Sequence, residues 1–173
     1  LTTLKYKDEK DRAYGLCGMA VCMYVMENSQ YVDSVSMDAE ADYGLQLTPD
    51  FFHESNQQLS AKAAWNNAVS RFQAAAGLLV ANVLARALVR EKGDVSVELN
   101  KQMLKRLEEE AEAACALDAD EVRTVYSKVL SIFNRVFSHH DVGVIVDRFV
   151  DELMQRRTLD ADDIHSLLHA LTN

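Results

Sequence analysis

Four groups of side chains in this sequence have the types and spacing for metal chemistry. His140 and Asp141 are adjacent, in "HHDVG" at 139–143. Together they offer an imidazole nitrogen and a carboxylate oxygen, donors that a divalent ion accepts. Asp162, His165 and His169 follow at spacings of three and four, which places all three on one face of a helix. Asp38, Glu40 and Asp42 alternate ahead of Gly44, a pattern that can wrap a calcium ion. Glu108, Glu109 and Glu112 include an i,i+4 carboxylate pair able to share a Mg²⁺.

Two of these stretches carry a resemblance. "HHDVG" resembles the metal site of the HD-domain phosphohydrolases, all-helical enzymes in which an adjacent His–Asp pair binds a divalent ion. The resemblance implies His140 and Asp141 as ligands, His53 as the upstream histidine and Asp162 or Asp163 as the closing acid. "EEEAE" at 108–112 resembles the E-E-x-x-E of MazG-like nucleotide pyrophosphohydrolases, which pair it with a downstream ExxD that this sequence lacks. Both imply metal-dependent hydrolysis of nucleotides or phosphoesters. The expectation adopted from the residues themselves is plainer. His139, His140 and Asp141 form a polar helix junction. Glu108–Glu112 form a solvated charged face, with Lys105 and Arg106 within helical reach. No catalytic residue is assigned and no cofactor is expected, a divalent metal being the alternative.

"LDADEV" at 117–122 and "LDADDI" at 159–164 repeat nearly the same phrase. An EF-hand loop needs oxygen ligands at positions 1, 3 and 5, Gly at 6 and Glu at 12. Counting from Asp118, Val122 and Arg123 fall at 5 and 6; counting from Asp160, Ile164 and His165 do. A helix start accounts for every position. Asp118 and Asp160 are N-caps, Glu121 and Asp163 complete capping boxes, and Leu117 with Val122 and Leu159 with Ile164 are hydrophobic staples.

The elements that would position these groups follow from period and punctuation. A first helix is expected from about Asp8 to Asn28, apolar all round at its centre, with Gly15 and Gly18 as weak points. The acidic stretch 29–47 reads as an irregular loop with room for a short hairpin, Val32–Met37 having the pattern of a short strand. "LTPDFF" opens a further helix, with Thr48 as N-cap and Leu47 stapled to Phe52. From Ser60 a long apolar central helix presents Trp65, Val69, Phe72, Ala76, Leu79, Val83 and Ala87, and Gly93 ends it. Later helices turn Val97, Met103, Leu104, Leu107 and Ala111 inward, then Val122, Val125, Val129, Ile132 and Val136. Val142, Ile145, Phe149, Val150 and Leu153 follow, and finally Ile164, Leu167, Leu168 and Leu171. The expected fold is all-α, a single domain over 1–173 built as a bundle of five to seven helices.

Composition agrees: 173 residues, 49% hydrophobic, with one Pro and six Gly. The three cysteines, Cys17, Cys22 and Cys115, lack CxxC spacing and read as reduced structural thiols, which favours the cytoplasm. The charge-free apolar runs 13–26 and 72–85 are fourteen residues each, short of the roughly 20 that span a bilayer. A formal charge of −9 disfavours nucleic acid, whose phosphates need a basic surface. That charge is uneven. From Ala13 through Ala61 there is no Lys or Arg, while Glu27, Asp33, Asp38, Glu40, Asp42, Asp50 and Glu54 supply seven acids. Arg71, Arg86 and Arg90 are available as internal counter-charges. The functional expectation is a small cytoplasmic interaction or accessory protein with an acidic surface for a basic protein partner. A homodimer is compatible with the apolar central helix, and neither nucleic acid nor membrane is expected as a partner.

Overall fold

A computed structural model describes residues 2–40, 43–51, 61–114 and 117–172, with the backbone alone at 61–65 and 114. Helix α1 (Glu9–Val25) begins where the Asp8 carboxylate accepts the Asp11 N–H at 2.7 Å. It stops short of the expected Asn28. Glu27 turns left-handed (φ 58°), the Asn28 N–H reaches the Met23 carbonyl at 2.8 Å, and the Glu27 N–H reaches that of Tyr24 at 3.1 Å. Those two bonds are a Schellman ending, here without a glycine.

The acidic stretch is more ordered than the expected irregular loop. Strand β1 (Val32–Ser36) pairs antiparallel with β2 (Leu45–Leu47) on one side and β3 (Thr158–Asp160) on the other. The short hairpin is therefore present, and a third strand from the far end of the chain joins it. Val32, Val35 and Leu159 point into the core. Pro49–Phe51 form a single 3-10 turn. The remainder of the helix expected from "LTPDFF", with Phe52 and His53, lies outside the described residues, as do Asp42 and Cys115 and the side chain of Trp65.

Helix α2 (Ala61–Leu84) runs on as a π-helical stretch, Ala85–Arg90. The whole Asn66–Arg90 span, 25 residues, is long and apolar enough to cross a membrane by length and composition, although the two charge-free runs alone are not. Within this fold 67% of its most apolar window is buried, and Val80, Ala81, Val83, Leu84 and Ala85 are at most 1% exposed. Its end differs from expectation: Lys92, not Gly93, adopts the left-handed conformation (φ 51°).

Close approach explains the two glycines that looked like weak points in α1. A Cβ on Gly18 would lie 2.3 Å from the Ala81 carbonyl oxygen, and one on Gly15 would lie 2.7 Å from the Asn82 side chain. Gly18 thus lets α1 lie against the backbone of α2. The helix–propensity loss at such a site, about 1 kcal/mol, is offset by packing that no larger residue permits.

Helices α3 (Val97–Ala114), α4 (Ala119–Ser138), α5 (His140–Arg156) and α6 (Ala161–Leu168) complete the fold. It is mostly helical, with six α-helices and one three-stranded sheet among the described residues. α2 packs between α1 and α4, α5 lies on α1 and α4, and α6 covers the sheet. Two inward stripes differ in detail from the sequence reading. Val97 is 73% exposed and Leu99 takes its place in the core. On α4 the buried line is Val122, Tyr126, Val129, Phe133 and Phe137.

Both LDAD stretches are helix starts. Asp118 accepts the N–H groups of Asp120 and Glu121 at 2.9 Å, and Glu121 reaches back to the Asp118 N–H at 2.9 Å. Asp160 and Asp163 repeat the exchange at 2.9 and 3.3 Å. Asp118→Ala and Asp160→Ala should each lower stability by about 1 kcal/mol, read as a drop of about 2–4 °C in Tm. Calcium should not alter either difference.

Candidate functional site: the acidic face of the sheet

Asp33, Asp38 and Glu40 of the Lys/Arg-free segment, with Asp160 and Asp162, lie on or next to the sheet. Alternation along β1 buries Val35 and leaves Asp33, Ser34 and Ser36 toward the outside; a bulge between Val32 and Ser34 adjusts the register. Ser34 stands opposite Asp160 and Ser36 opposite Thr158. The face is laced by hydroxyls. Ser34 Oγ donates to Gln46 Oε1 at 3.2 Å, and the Ser36 and Thr158 hydroxyls lie 3.0 Å apart. Asp38 and Glu40 follow in the hairpin, and Asp162 stands in the first turn of α6.

Counter-charges come from inside the chain, but not from Arg86 or Arg90. Those two are committed to Asp11 and Asp8. Arg157 serves instead. Held left-handed (φ 67°) at the end of α5, it bonds Asp38 at 2.7 Å and Glu9 at 3.1 Å. Those two carboxylates raise its pKa above the ordinary arginine value. Its carbonyl accepts the Met37 N–H at 2.8 Å. Arg12 donates to the carbonyls of Met37, Ala39 and Glu40 at 2.5–3.1 Å, fixing the hairpin backbone without pairing a carboxylate. Arg156 takes Asp163 at 2.6 Å, and that hydrogen bond holds the Asp163 carboxyl below its usual range. The carboxylates of Asp33, Glu40 and Asp162 form no ion pair within 4 Å among the described residues. Beside Glu40 stands Tyr43, whose N–H donates to the Glu40 carbonyl at 2.9 Å and which is 64% exposed. The sequence reading did not single out Tyr43, although "DYG" in an acidic run places it at a turn.

The other chemistry-bearing groups are dispersed. His140 and Asp141 open α5 and are exposed; the nearest charged contact is His139 Nδ1 to Asp141 Oδ2 at 3.9 Å. Asp162 and Asp163 follow the opposite end of α5, a 17-residue helix that spans about 25 Å, so the HD-like arrangement is not assembled. The His165 and His169 rings lie 5.9 Å apart. His165 Nδ1 is 3.4 Å from the Tyr24 hydroxyl, and His169 Nδ1 is 3.1 Å from the Ser166 carbonyl oxygen. Glu108, Glu109 and Glu110 pair with Arg123, Lys105 and Arg106 at 3.3–3.8 Å. Among the described residues no three His, Cys, Asp or Glu side chains gather closely enough to hold a metal ion. The Asp38 carboxylate is taken by Arg157, Arg12 bonds the Glu40 backbone carbonyl and not its carboxylate, and Asp42 lies outside the described residues.

No protein-family model, no curated protein and no solved structure matches this chain.

Proposed function

We propose that this protein works by binding another protein, and that the hairpin side of the sheet docks a basic segment of that partner. The observation that carries the reading is the acidic hairpin with its exposed tyrosine. The Asp33 carboxylate on β1, the Glu40 carboxylate in the hairpin and the Asp162 carboxylate at the start of α6 form no ion pair among the described residues, and Tyr43, 64% exposed, stands beside Glu40. Unpaired surface acids raise the local negative potential and steer a cationic partner. A rigid aromatic supplies the anchor such contacts need. Cys17 and Cys22 are buried free thiols, raised by burial above the usual thiol range. Inert thiols of this kind support a reducing, cytoplasmic setting.

The test is capture of cellular proteins by the immobilised chain at about 0.1 M salt, with release at about 1 M, where screening shortens from about 10 to about 3 Å. The triple change Asp33→Asn, Glu40→Gln, Asp162→Asn should lose the salt-released proteins while Tm stays within about 2 °C. Tyr43→Ala should lose them too. A charge-matched control, Glu109→Gln, Glu110→Gln, Asp120→Asn, should keep them. Equal loss in the control would assign capture to bulk charge, and absence of any salt-released protein would end the proposal.

A further inference from the structure

Residues 2–6 form a strap across the end of α2. Arg86 donates to the Lys5 carbonyl at 2.9 Å, and its guanidinium sits 4.9 Å from the centre of the Tyr6 ring. Asn82 Nδ2 donates to the Tyr6 hydroxyl at 2.7 Å. Between this strap, α1, α2, the β2 end of the hairpin and α3 lies a cleft of about 600 Å³. That is within the range of small-molecule sites, roughly 300–1,000 Å³. Its walls are largely apolar, with Leu4, Leu16, Met19, Leu45, Leu78 and Leu79 contributing.

The polar groups in it are few and unequal. Arg106 is matched by Glu110 at 3.3 Å, so the two add no net charge. Lys5 lines the same cleft, is exposed and has no acidic partner among the described residues. The Tyr6 hydroxyl accepts from Asn82 and keeps one proton of its own, for which no acceptor stands among the described residues. Its ring cannot swing freely, because the fully buried Arg86 holds its face. A pinned donor beside an unmatched cation, at the edge of an apolar cleft, defines a ligand with an anionic acceptor head and an apolar body. We propose that the cleft binds a long-chain carboxylate, its chain along the leucine wall and its carboxylate accepting from Tyr6 Oη and facing the Lys5 ammonium. This proposal is independent of the docking reading.

The test is a fluorescence titration of the full chain with 11-(dansylamino)undecanoic acid, followed by displacement. Decanoate, dodecanoate and tetradecanoate should displace with affinity rising about fourfold per methylene until the cleft is filled. Dodecanol, lacking the charge, should displace at least tenfold less well, since a hydrogen bond to a charged group is lost. Tyr6→Phe keeps the ring under Arg86 and should weaken dodecanoate about tenfold or more. Leu79→Trp, which fills the cleft, should abolish probe binding while the circular dichroism spectrum is retained. Absence of displaceable probe binding would overturn the proposal. So would binding indifferent to Tyr6→Phe and Leu79→Trp, or dodecanol matching dodecanoate.

Discussion

Asp11→Ala is expected to cost about 3–5 kcal/mol, the range for removing one partner of a buried ion pair. Asp11 and Arg86 are both fully buried. Asp11 Oδ2 accepts from Arg86 Nη2 at 2.6 Å and from the Lys7 N–H at 3.0 Å, while Oδ1 lies 2.8 Å from Arg90 Nη1. Truncation would leave the Arg86 guanidinium desolvated and facing only the Lys5 carbonyl, Asn82 and the Tyr6 ring. It would also loosen the strap that Lys7 anchors. Urea denaturation at neutral pH measures the loss, and a change below about 1 kcal/mol would mean that Arg86 had found water.

The same carboxylate makes the effect depend on pH in a definite direction. Burial pushes Asp11 up, but hydrogen bonds from Arg86 and the Lys7 backbone, together with the Arg90 ion pair, outweigh it and hold the carboxyl at about 2, against an ordinary 3.8. A folded-state pKa below the unfolded one means that the unfolded chain binds the extra proton between those values. The stabilisation is therefore complete above about pH 4 and is lost as pH falls toward 2. The stability gap between the parent and Asp11→Ala should be constant from pH 7 to about 5 and narrow below 4. A gap that widened on acidification would contradict the assignment.

Nothing in the local sequence around Asp11 or Arg86 announces this pair. One is an acid in the first turn of a helix and the other a base near a helix end, both ordinary places for such charges, and 75 positions separate them. What was legible was local. Periodicity located the helices, and cap and staple residues located the starts of α4 and α6, because those interactions are complete within six residues. The α4 stripe was placed partly off line because Val125, Ile132 and Val136 share the helical period with Tyr126, Phe133 and Phe137. The larger aromatics occupy the deeper side. Strand β3 was missed because three residues carry no alternation; only pairing with β1 makes it a strand. The acidic run was legible as charge, but its pairing with Arg157 depends on that same long-range sheet.

The second large effect concerns two glycines in helices and has opposite expected signs. Alanine is the better helix former by about 1 kcal/mol, so propensity alone favours the change at both. At Gly143 in α5 the nearest atom to a new Cβ is Val89 Cγ1 at 4.0 Å, an ordinary contact. Gly143→Ala should therefore stabilise by about 0.5–1 kcal/mol. At Gly18 the new Cβ meets the Ala81 carbonyl oxygen at 2.3 Å and Ala85 Cβ at 2.8 Å. The first is backbone and the second a side chain with no rotamer, so neither can swing away. Relief requires α1 to move off α2, which disturbs an interface where Ala20, Val21, Val80, Ala81 and Leu84 are all fully buried. With backbone in the way, an overpacking cost of about 3 kcal/mol less the propensity gain of about 1 kcal/mol leaves a net loss of about 2 kcal/mol, and Gly18→Ala should lower Tm by about 4–8 °C. Calorimetry on the two variants decides it. A stabilised Gly18→Ala would mean that α1 and α2 lie farther apart than this backbone contact requires. The expected displacement of α1 would also loosen the geometry holding Asp11 against Arg86, since α1 carries one and the continuation of α2 the other.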